Sequence, residues 1–289
     1  MYNINGKVLY IMITNTQVNL HTHTVLCKHA VGTVKEYCSQ AVKDGLKVLG
    51  ITEHSCFPDD RHPSTRMDYA MLESYRQEIE DAKSEFPQLT ILAGLEVDYD
   101  SDFPLEFYQK ELKERLSLDY LITGVHFVNT DTPGKYYFAS ASKLFPPEII
   151  RMFTEKTSFL IKSGLFEFIT HPDMIAVSID RWTPEIADLF TDVLQTAESY
   201  KTPLEINAYG LRKKEFEYAD GKRHPYPYAP FWKVAKNFDI TATVNSDAHK
   251  PEDVFGNLQD AFDFAEQYGI TCSNAAVAEK IIAKNADLA

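Results

Sequence analysis

The sequence predicts a single α/β domain whose parallel strands close into a barrel. Three observations lead there. Short β-branched apolar runs alternate with longer amphipathic segments, giving seven strand–helix units along 289 residues. Side chains of the metal-ligating types, His, Glu or Asp, end six of the seven runs, the sixth being the exception. An open sheet would spread such ends along a line, whereas a barrel gathers them around one mouth. The glycine fingerprint of a doubly wound dinucleotide-binding sheet is absent. No Gly/Ser-rich linker or internal repeat divides the chain.

Residues 1–16 read as an N-terminal extension, with Met12 available as an alternative start, and 17–289 as one barrel domain. The first strand is expected at 18–21 and its helix at 31–44, ended by Gly45. Strand two is 48–52 and its helix 69–85; strand three is 90–97 and its helix 103–116. Strand four is 120–127, and a helix begins after Pro146-Pro147. Strand five is 165–170; its helix is 184–200, with Thr183 as N-cap and Pro184 at the first helical position. Strand six is 203–207, followed by a long loop at 209–229 and a helix at 229–237. Strand seven is 240–245 with its helix at 258–268; a short extended piece and a terminal helix complete the chain.

Hydrophobic residues make up 44%, enough to fill a core, and the formal net charge is −13. That charge repels polyanions and argues against nucleic acid or an acidic membrane surface as partner. The longest early apolar run, Val8 to Ile13, is far too short for a spanning helix or a signal-peptide core. The four cysteines, Cys27, Cys38, Cys56 and Cys272, form no C-x-x-C pair, which suits reduced thiols in a cytoplasmic protein.

The chemistry lies in the strand ends. Seven of the nine histidines fall there: His21 and His23, His29 close behind, His54, His126, His171 and His249. Glu96, Asp98 and Asp247 join them. Imidazole and carboxylate are the ligand set of zinc, manganese and iron. Residues two apart on a strand face the same side, so His21/His23, Glu96/Asp98 and Asp247/His249 can each point inward together. A single histidine is more often a satisfied core residue; seven in register with strand ends are not.

At these motifs the chain resembles the PHP (polymerase and histidinol phosphatase) superfamily, and within it the histidinol-phosphatase branch. The resemblance runs over about residues 18–256 and is carried by His21-Thr22-His23, Glu53-His54, Gly94-Leu95-Glu96-Val97-Asp98-Tyr99, Gly124-Val125-His126-Phe127, His171, Glu205-Ile206-Asn207 with Gly210-Leu211-Arg212-Lys213, and Asp247-Ala248-His249. It implies a distorted (β/α)7 TIM-like barrel with three divalent transition-metal ions, zinc, manganese or iron, at the C-terminal ends of the strands. By resemblance His21, His23, Glu96 and Asp247 hold the first ion. Glu96 bridges to a second held by His126 and His171, and His29, His54 and His249 hold the third. Many members have Asp where this chain has His29. The implied activity is hydrolysis of a small phosphorylated substrate, L-histidinol phosphate, to histidinol and inorganic phosphate in histidine biosynthesis. Bound ions lower the pKa of water to roughly 7 and clamp phosphate oxygens. Glu96, Asp247 and Asp98 are the candidate catalytic carboxylates, Asp98 also being a candidate acceptor for a ligating histidine.

Arg212 is the candidate phosphate contact, against the plainer reading of 212–214 as a solvated charge run, and Arg181 is a weaker candidate. The Tyr-Pro run at 225–230 reads as a structured loop or a lid over a flat ring. His62 and His224 match no ligand position. Competing functions are a PHP-type phosphatase or phosphodiesterase on another small ester or nucleotide, an amidohydrolase-like deaminase or amidase, and a non-enzymatic metal-binding domain. The glutamate bridge and the late D-x-H argue against the second, and the intact ligand set against the third.

Overall fold

Parallel strands form a curled sheet with helices on its outer face in the computed structural model, which describes residues 2–4, 7–9, 13–129, 136–141 and 143–286. One group runs β1 (Val18–Asn19), β2 (Val48–His54), β3 (Thr90–Val97) and β4 (Tyr120–Thr123), hydrogen-bonded in that order and all parallel. A second comprises β5 (Leu204–Asn207), β6 (Thr241–Asn245) and β7 (Thr271–Cys272), parallel with β6 central. Isolated parallel bridges join Thr123 to Ile169, Ile169 to Leu204, and Thr22 to Ala248.

The helices follow their sequence signals. In α1 (Val34–Lys43), Thr33 and Glu36 form a reciprocal capping box, and Gly45 beyond it has φ +81°. Then come α2 (Leu72–Glu85), α3 (Pro147–Ser163) and α4 (Pro184–Tyr200), where the Thr183 side chain accepts from Ile186 N–H. They are followed by α5 (Ala229–Ala235), α6 (Leu258–Gln267) and α7 (Asn274–Ala286). Among the described residues no helix is long and apolar enough to cross a membrane.

Strand periodicity sorts the core into two layers. Leu49 and Ile51, Ile91, Ala93 and Leu95, and Leu121 pack outward with the helices. Val18, Leu20, Val48, Leu92, Tyr120, Ile122 and Phe168 point inward, where Val277, Ala278 and Ile281 of α7 meet them. Going up the inward face of β2, Val48 gives way to Gly50, Thr52 and His54. Gly50 makes room for Tyr120, whose hydroxyl donates to Leu20 O at 2.7 Å; a Cβ on Gly50 would sit 1.9 Å from the Tyr120 hydroxyl oxygen. The interior is thus apolar at the α7 end and ionisable at the C-terminal ends of the strands.

Several expected elements differ. The segment 165–170 forms no regular strand. It docks between β4 and β5, with Glu167 N–H on Leu121 O, Ile169 N–H on Pro203 O and Thr170 N–H on Thr123 O. The expected strand 120–127 stops at Thr123. Gly124 then packs so closely under the next segment that a Cβ would lie 2.3 Å from Thr170 Oγ1 and 2.5 Å from His171 Cε1. Phe127–Asn129 starts an antiparallel hairpin with Tyr136–Phe138 instead. The helix expected at 103–116 is wound as a π-helix over Phe107–Glu114, with Arg115 N–H bonding Lys110 O. The loop at 209–229 contains a helical turn, Tyr209–Arg212, and a hairpin of Phe216–Tyr218 with Gly221–Arg223.

Candidate metal centre

Strand register brings the ligand-type side chains together. In the parallel β2–β3 pair, His54 lies opposite Glu96, so both project from the same face at the same height. The His54 Nδ1 to Glu96 Oε2 distance is 2.9 Å. β1 leads into His21 and His23, whose Nε2 atoms approach to 3.0 Å and lie 3.4 and 3.5 Å from Glu96 Oε2. Asp247 Oδ1 is 3.3 Å from His23 Nε2. On the other side Glu96 Oε1 lies 2.9 Å from His171 Nε2 and 3.9 Å from His126 Nε2. His29 and His249, from two loops, bring their Nε2 atoms to 3.1 Å. Donor atoms of three groups, His21–His23–Glu96, His54–Glu96–His126 and His29–His54–His249, lie within 4.8 Å of one another. All nine residues expected as ligands therefore meet in one place.

Four of the imidazoles are held by Nδ1 with Nε2 turned inward. His21 Nδ1 contacts Glu205 Oε1 at 2.8 Å and His126 Nδ1 contacts Asp98 Oδ1 at 2.7 Å. His29 and His249 use the carbonyls of Cys27 and Asp247. A carboxylate or carbonyl on one ring nitrogen fixes the tautomer that leaves the other as a lone-pair donor.

The electrostatics suit cations. Burial alone would raise Glu96 and Asp247, but the surrounding imidazoles outweigh it and hold both well below the ordinary carboxylate range. Burial lowers His23 to about 3 and pushes His54 well below its usual value, so both rings are neutral donors at pH 7. Burial opposes a charge on His21, yet Glu205, Asp247 and Glu96 together raise it. Meanwhile His23 Nδ1, His171 Nδ1 and Asp247 Oδ1 are buried without a hydrogen-bond partner, and so are His54 Nδ1 and Glu96 Oε2, which meet at 2.9 Å without hydrogen-bond geometry. Each such atom costs about 1–3 kcal/mol. Nitrogen and oxygen donors converging in this way fit divalent transition metals.

Asp98 is fully engaged: Arg66 pairs with Oδ2 and His126 with Oδ1. Burial works against its charge, but Arg66 and His126 hold its carboxyl far below the usual range. Glu53, next to His54, points to the other face of β2 and accepts from Thr24 N–H; burial raises it to about 8. Cys27 sits among His23 and His249, and burial raises its thiol to about 12.

Above the cluster lies a cavity of about 710 Å³, lined in part by His29, His54, His126, His171, Asp247 and His249. Neither arginine expected to hold phosphate lines it. Arg212 spends its guanidinium on Gly256 O at 2.7 Å, Ser246 O at 2.6 Å and the Asp253 carboxylate at 3.3 Å, tying down the loop that carries Asp247. Arg181 is exposed on the loop before α4. Arg66 and Lys213 do line the cavity. The Tyr-Pro run is packed in place rather than poised as a lid, with Tyr226 2% and Tyr228 1% exposed. Sequence reasoning counted Glu205-Ile206-Asn207 among the motifs of the resemblance but gave Glu205 no part in the site, though Glu205 and Asn207 show the same two-residue spacing as the ligand pairs.

A PHP domain family model matches residues 19–209. The histidinol-phosphatase of Bacillus subtilis is 30% identical over 267 residues, spanning 84% of this chain and 96% of its own. The probable histidinol-phosphatase of Deinococcus radiodurans is 28% identical, over 83% of this chain and 89% of its own. Among solved structures, histidinol phosphate phosphatase from Lactococcus lactis subsp. lactis, complexed with zinc, L-histidinol and phosphate, superimposes with a TM-score of 0.65 at 18% identity, covering 88% of this chain and 94% of that one. That likeness carries the fold; the domain match and the relatives carry the kinship. The chain belongs to the PHP domain family.

Proposed function

We propose that the protein is a metal-dependent phosphomonoesterase that hydrolyses L-histidinol phosphate to histidinol and inorganic phosphate. One observation carries the reading: nine histidine and carboxylate side chains converge under one cavity, with His54 Nδ1, Glu96 Oε2 and Asp247 Oδ1 buried among them without a hydrogen-bond partner. Kinship with histidinol-phosphatases supplies the substrate.

Three divalent ions, zinc, manganese or iron, suit the donor set. His21, His23, Glu96 and Asp247 would hold one; Glu96 would be shared with a second held by His126 and His171; His29, His54 and His249 would hold a third. Such ions activate water and neutralise the charge that builds on a phosphoryl group. The chain's own part is positioning. Glu96 and Asp247 are ionised, so their oxygens are available without losing a proton first. Asp98 orients His126 and is itself held by Arg66, which favours a supporting role over proton donation to the leaving group. Lys213 replaces Arg212 as the candidate phosphate contact, its ammonium lying 4.2 Å from the Tyr209 ring centroid at the cavity wall.

The (β/α)7 count belongs to the same reading. The bridges through Ile169 and between Thr22 and Ala248 support a ring of seven staves, with 165–170 as the fifth. Shared burial of Val18 and Ile281 supports 17–289 as one unit.

The test is release of inorganic phosphate from L-histidinol phosphate, glycerol phosphate and an aryl phosphate by protein loaded with zinc or manganese. The expected result is a kcat/KM at least tenfold higher on histidinol phosphate. Equal efficiency on all three would refute the substrate assignment, and no release from any would refute the phosphatase.

A further inference from the structure

The cavity has two unlike surfaces. Its floor is the donor cluster. One side wall is aromatic, built from His62, Phe127, Tyr136 and Phe138. Phe127 and Phe138 are cross-strand partners in the hairpin that begins directly after His126. His62 comes from the loop that follows His54. Both chain segments thus leave the donor cluster and turn up along the same side of the cavity.

The His62 ring lies flat on Phe127, with centroids 4.4 Å apart and planes 9° from parallel. Tyr136 meets His62 edge-on at 5.6 Å and 78°. Phe127 is enclosed on several sides: Tyr136 is 4.9 Å away, Phe138 5.6 Å, and the Arg66 guanidinium 5.7 Å. Both rings line the cavity, and Phe127, held by its neighbours, acts as a fixed backing for His62. The loop reaches this position through left-handed backbone at Asp60, φ +50°, and His62, φ +62°. Such a conformation is unfavourable for a non-glycine residue and is typically retained where a side chain must be aimed. Thr65 N–H bonds His62 O and Tyr69 N–H bonds the Asp60 carboxylate, which hold the turn. Tyr136 and Phe138 remain 47% and 45% exposed at the cavity mouth.

We propose that His62, backed by Phe127, forms the subsite for a flat heteroaromatic ring on the alcohol side of the phosphate ester. The subsite rests on the phosphomonoesterase reading and deepens it by assigning substrate selection to one wall. Phosphate bound at the floor places the ester's alcohol portion in the remaining space, and the aromatic wall borders that space. Offset stacking of a ligand ring on His62 extends the existing His62–Phe127 stack by one layer. Burial and the nearby Arg66 lower the His62 pKa, so the ring is neutral at pH 7 and does not repel an amine on the substrate.

The experiment compares kcat/KM for L-histidinol phosphate with kcat/KM for O-phosphoethanolamine, which keeps the amine and lacks the ring. His62→Ala is expected to lower the ratio about threefold to tenfold, mainly through KM on the ring substrate. His62→Phe keeps a stacking surface and is expected to hold the ratio within about twofold of the parent. A folding defect lowers the active fraction for both substrates alike and cancels in the ratio. An unchanged ratio in His62→Ala, or an equal fall in the two variants, overturns the subsite. If the parent shows no preference for histidinol phosphate, the substrate reading fails; pyridin-3-ylmethyl phosphate, an alkyl ester with a flat heteroaromatic ring, then replaces it in the ratio, and the same outcomes decide the subsite.

Discussion

Glu205 is fully buried, and its two carboxylate oxygens accept from four donors: His21 Nδ1 and Asn245 Nδ2 on one oxygen, His171 N–H and Asn207 Nδ2 on the other. Asn207 Nδ2 also reaches Asp247 Oδ2 at 3.1 Å. One side chain thus supports a histidine, the backbone of another and a carboxylate of the donor cluster. Glu205→Gln puts an amide NH2 in place of one oxygen, and either placement faces two donors. The expected outcome is weaker zinc binding, about 10- to 100-fold in a chelator-competition titration, with metal-free protein also less stable by about 1–3 kcal/mol. Zinc affinity equal to the parent's would remove Glu205 from the support of the site. The ligands were legible because H-x-H, E-H and D-x-H stand at the ends of apolar runs. The role of Glu205 was not, because its motif carries no ligand pair, and a glutamate inside a short strand shows no partner until the fold brings His21, His171 and Asn245 against it. Arg212 misled for the opposite reason: a basic residue after a strand has the composition of an anion contact, and only the fold reveals the carbonyls that engage it.

Among the elements, the strands that read clearly were those with long β-branched runs: β3 matches its expected span, and β2 runs two residues further, to His54. The fifth stave did not, since 165–170 alternates its hydrogen bonds between two neighbours at single bridges rather than forming a ladder. It is secured from below. Glu167 receives Lys280 at 2.8 Å and Lys284 at 2.6 Å from α7. Burial would raise the Glu167 pKa, but the two lysines outweigh it and hold it below the ordinary value of 4.5. A depressed carboxylate contributes stability that is fully present above the unfolded-state pKa and is lost as pH falls through the folded one. Because both lysines are more than half exposed, the contribution is about 0.5–1 kcal/mol. Glu167→Gln should therefore be less stable than the parent by that amount in urea at pH 7, with the gap closing as the pH falls below about 4.5 toward 3. Taking the difference between the two proteins cancels the acid response of the metal-ligand residues, which they share. A gap that persists unchanged at pH 3 would mean that packing rather than charge accounts for the loss.

At the scale of the whole molecule, the inward faces of the strands run from an apolar plug at α7 to a cluster of ionised and unpartnered groups at the opposite end. Stability and function therefore pull on different ends of one interior. The plug is self-sufficient, since Val18, Leu20, Tyr120 and Phe168 are fully buried against each other and α7. The other end gathers Glu96, Asp98, Glu205 and Asp247 in a chain whose net charge is already −13. Cations bound there stabilise the folded state alone, because the unfolded chain has no preformed site. Free metal at about 1,000 times Kd adds roughly 4 kcal/mol, which at about 2 °C per kcal/mol for a domain of this size is a rise in Tm of roughly 8 °C. Exhaustive dialysis against a chelator should lower Tm by at least that much, and zinc or manganese should restore it, whereas magnesium, which prefers oxygen ligands, should not. Amide exchange should accelerate on metal removal at the C-terminal ends of β2 and β3 and stay slow beside α7, because the two ends of the interior are held by different forces. A Tm indifferent to chelation and to added zinc would mean that the converging imidazoles and carboxylates are held by the protein's own hydrogen bonds, and the metal centre would fall with it.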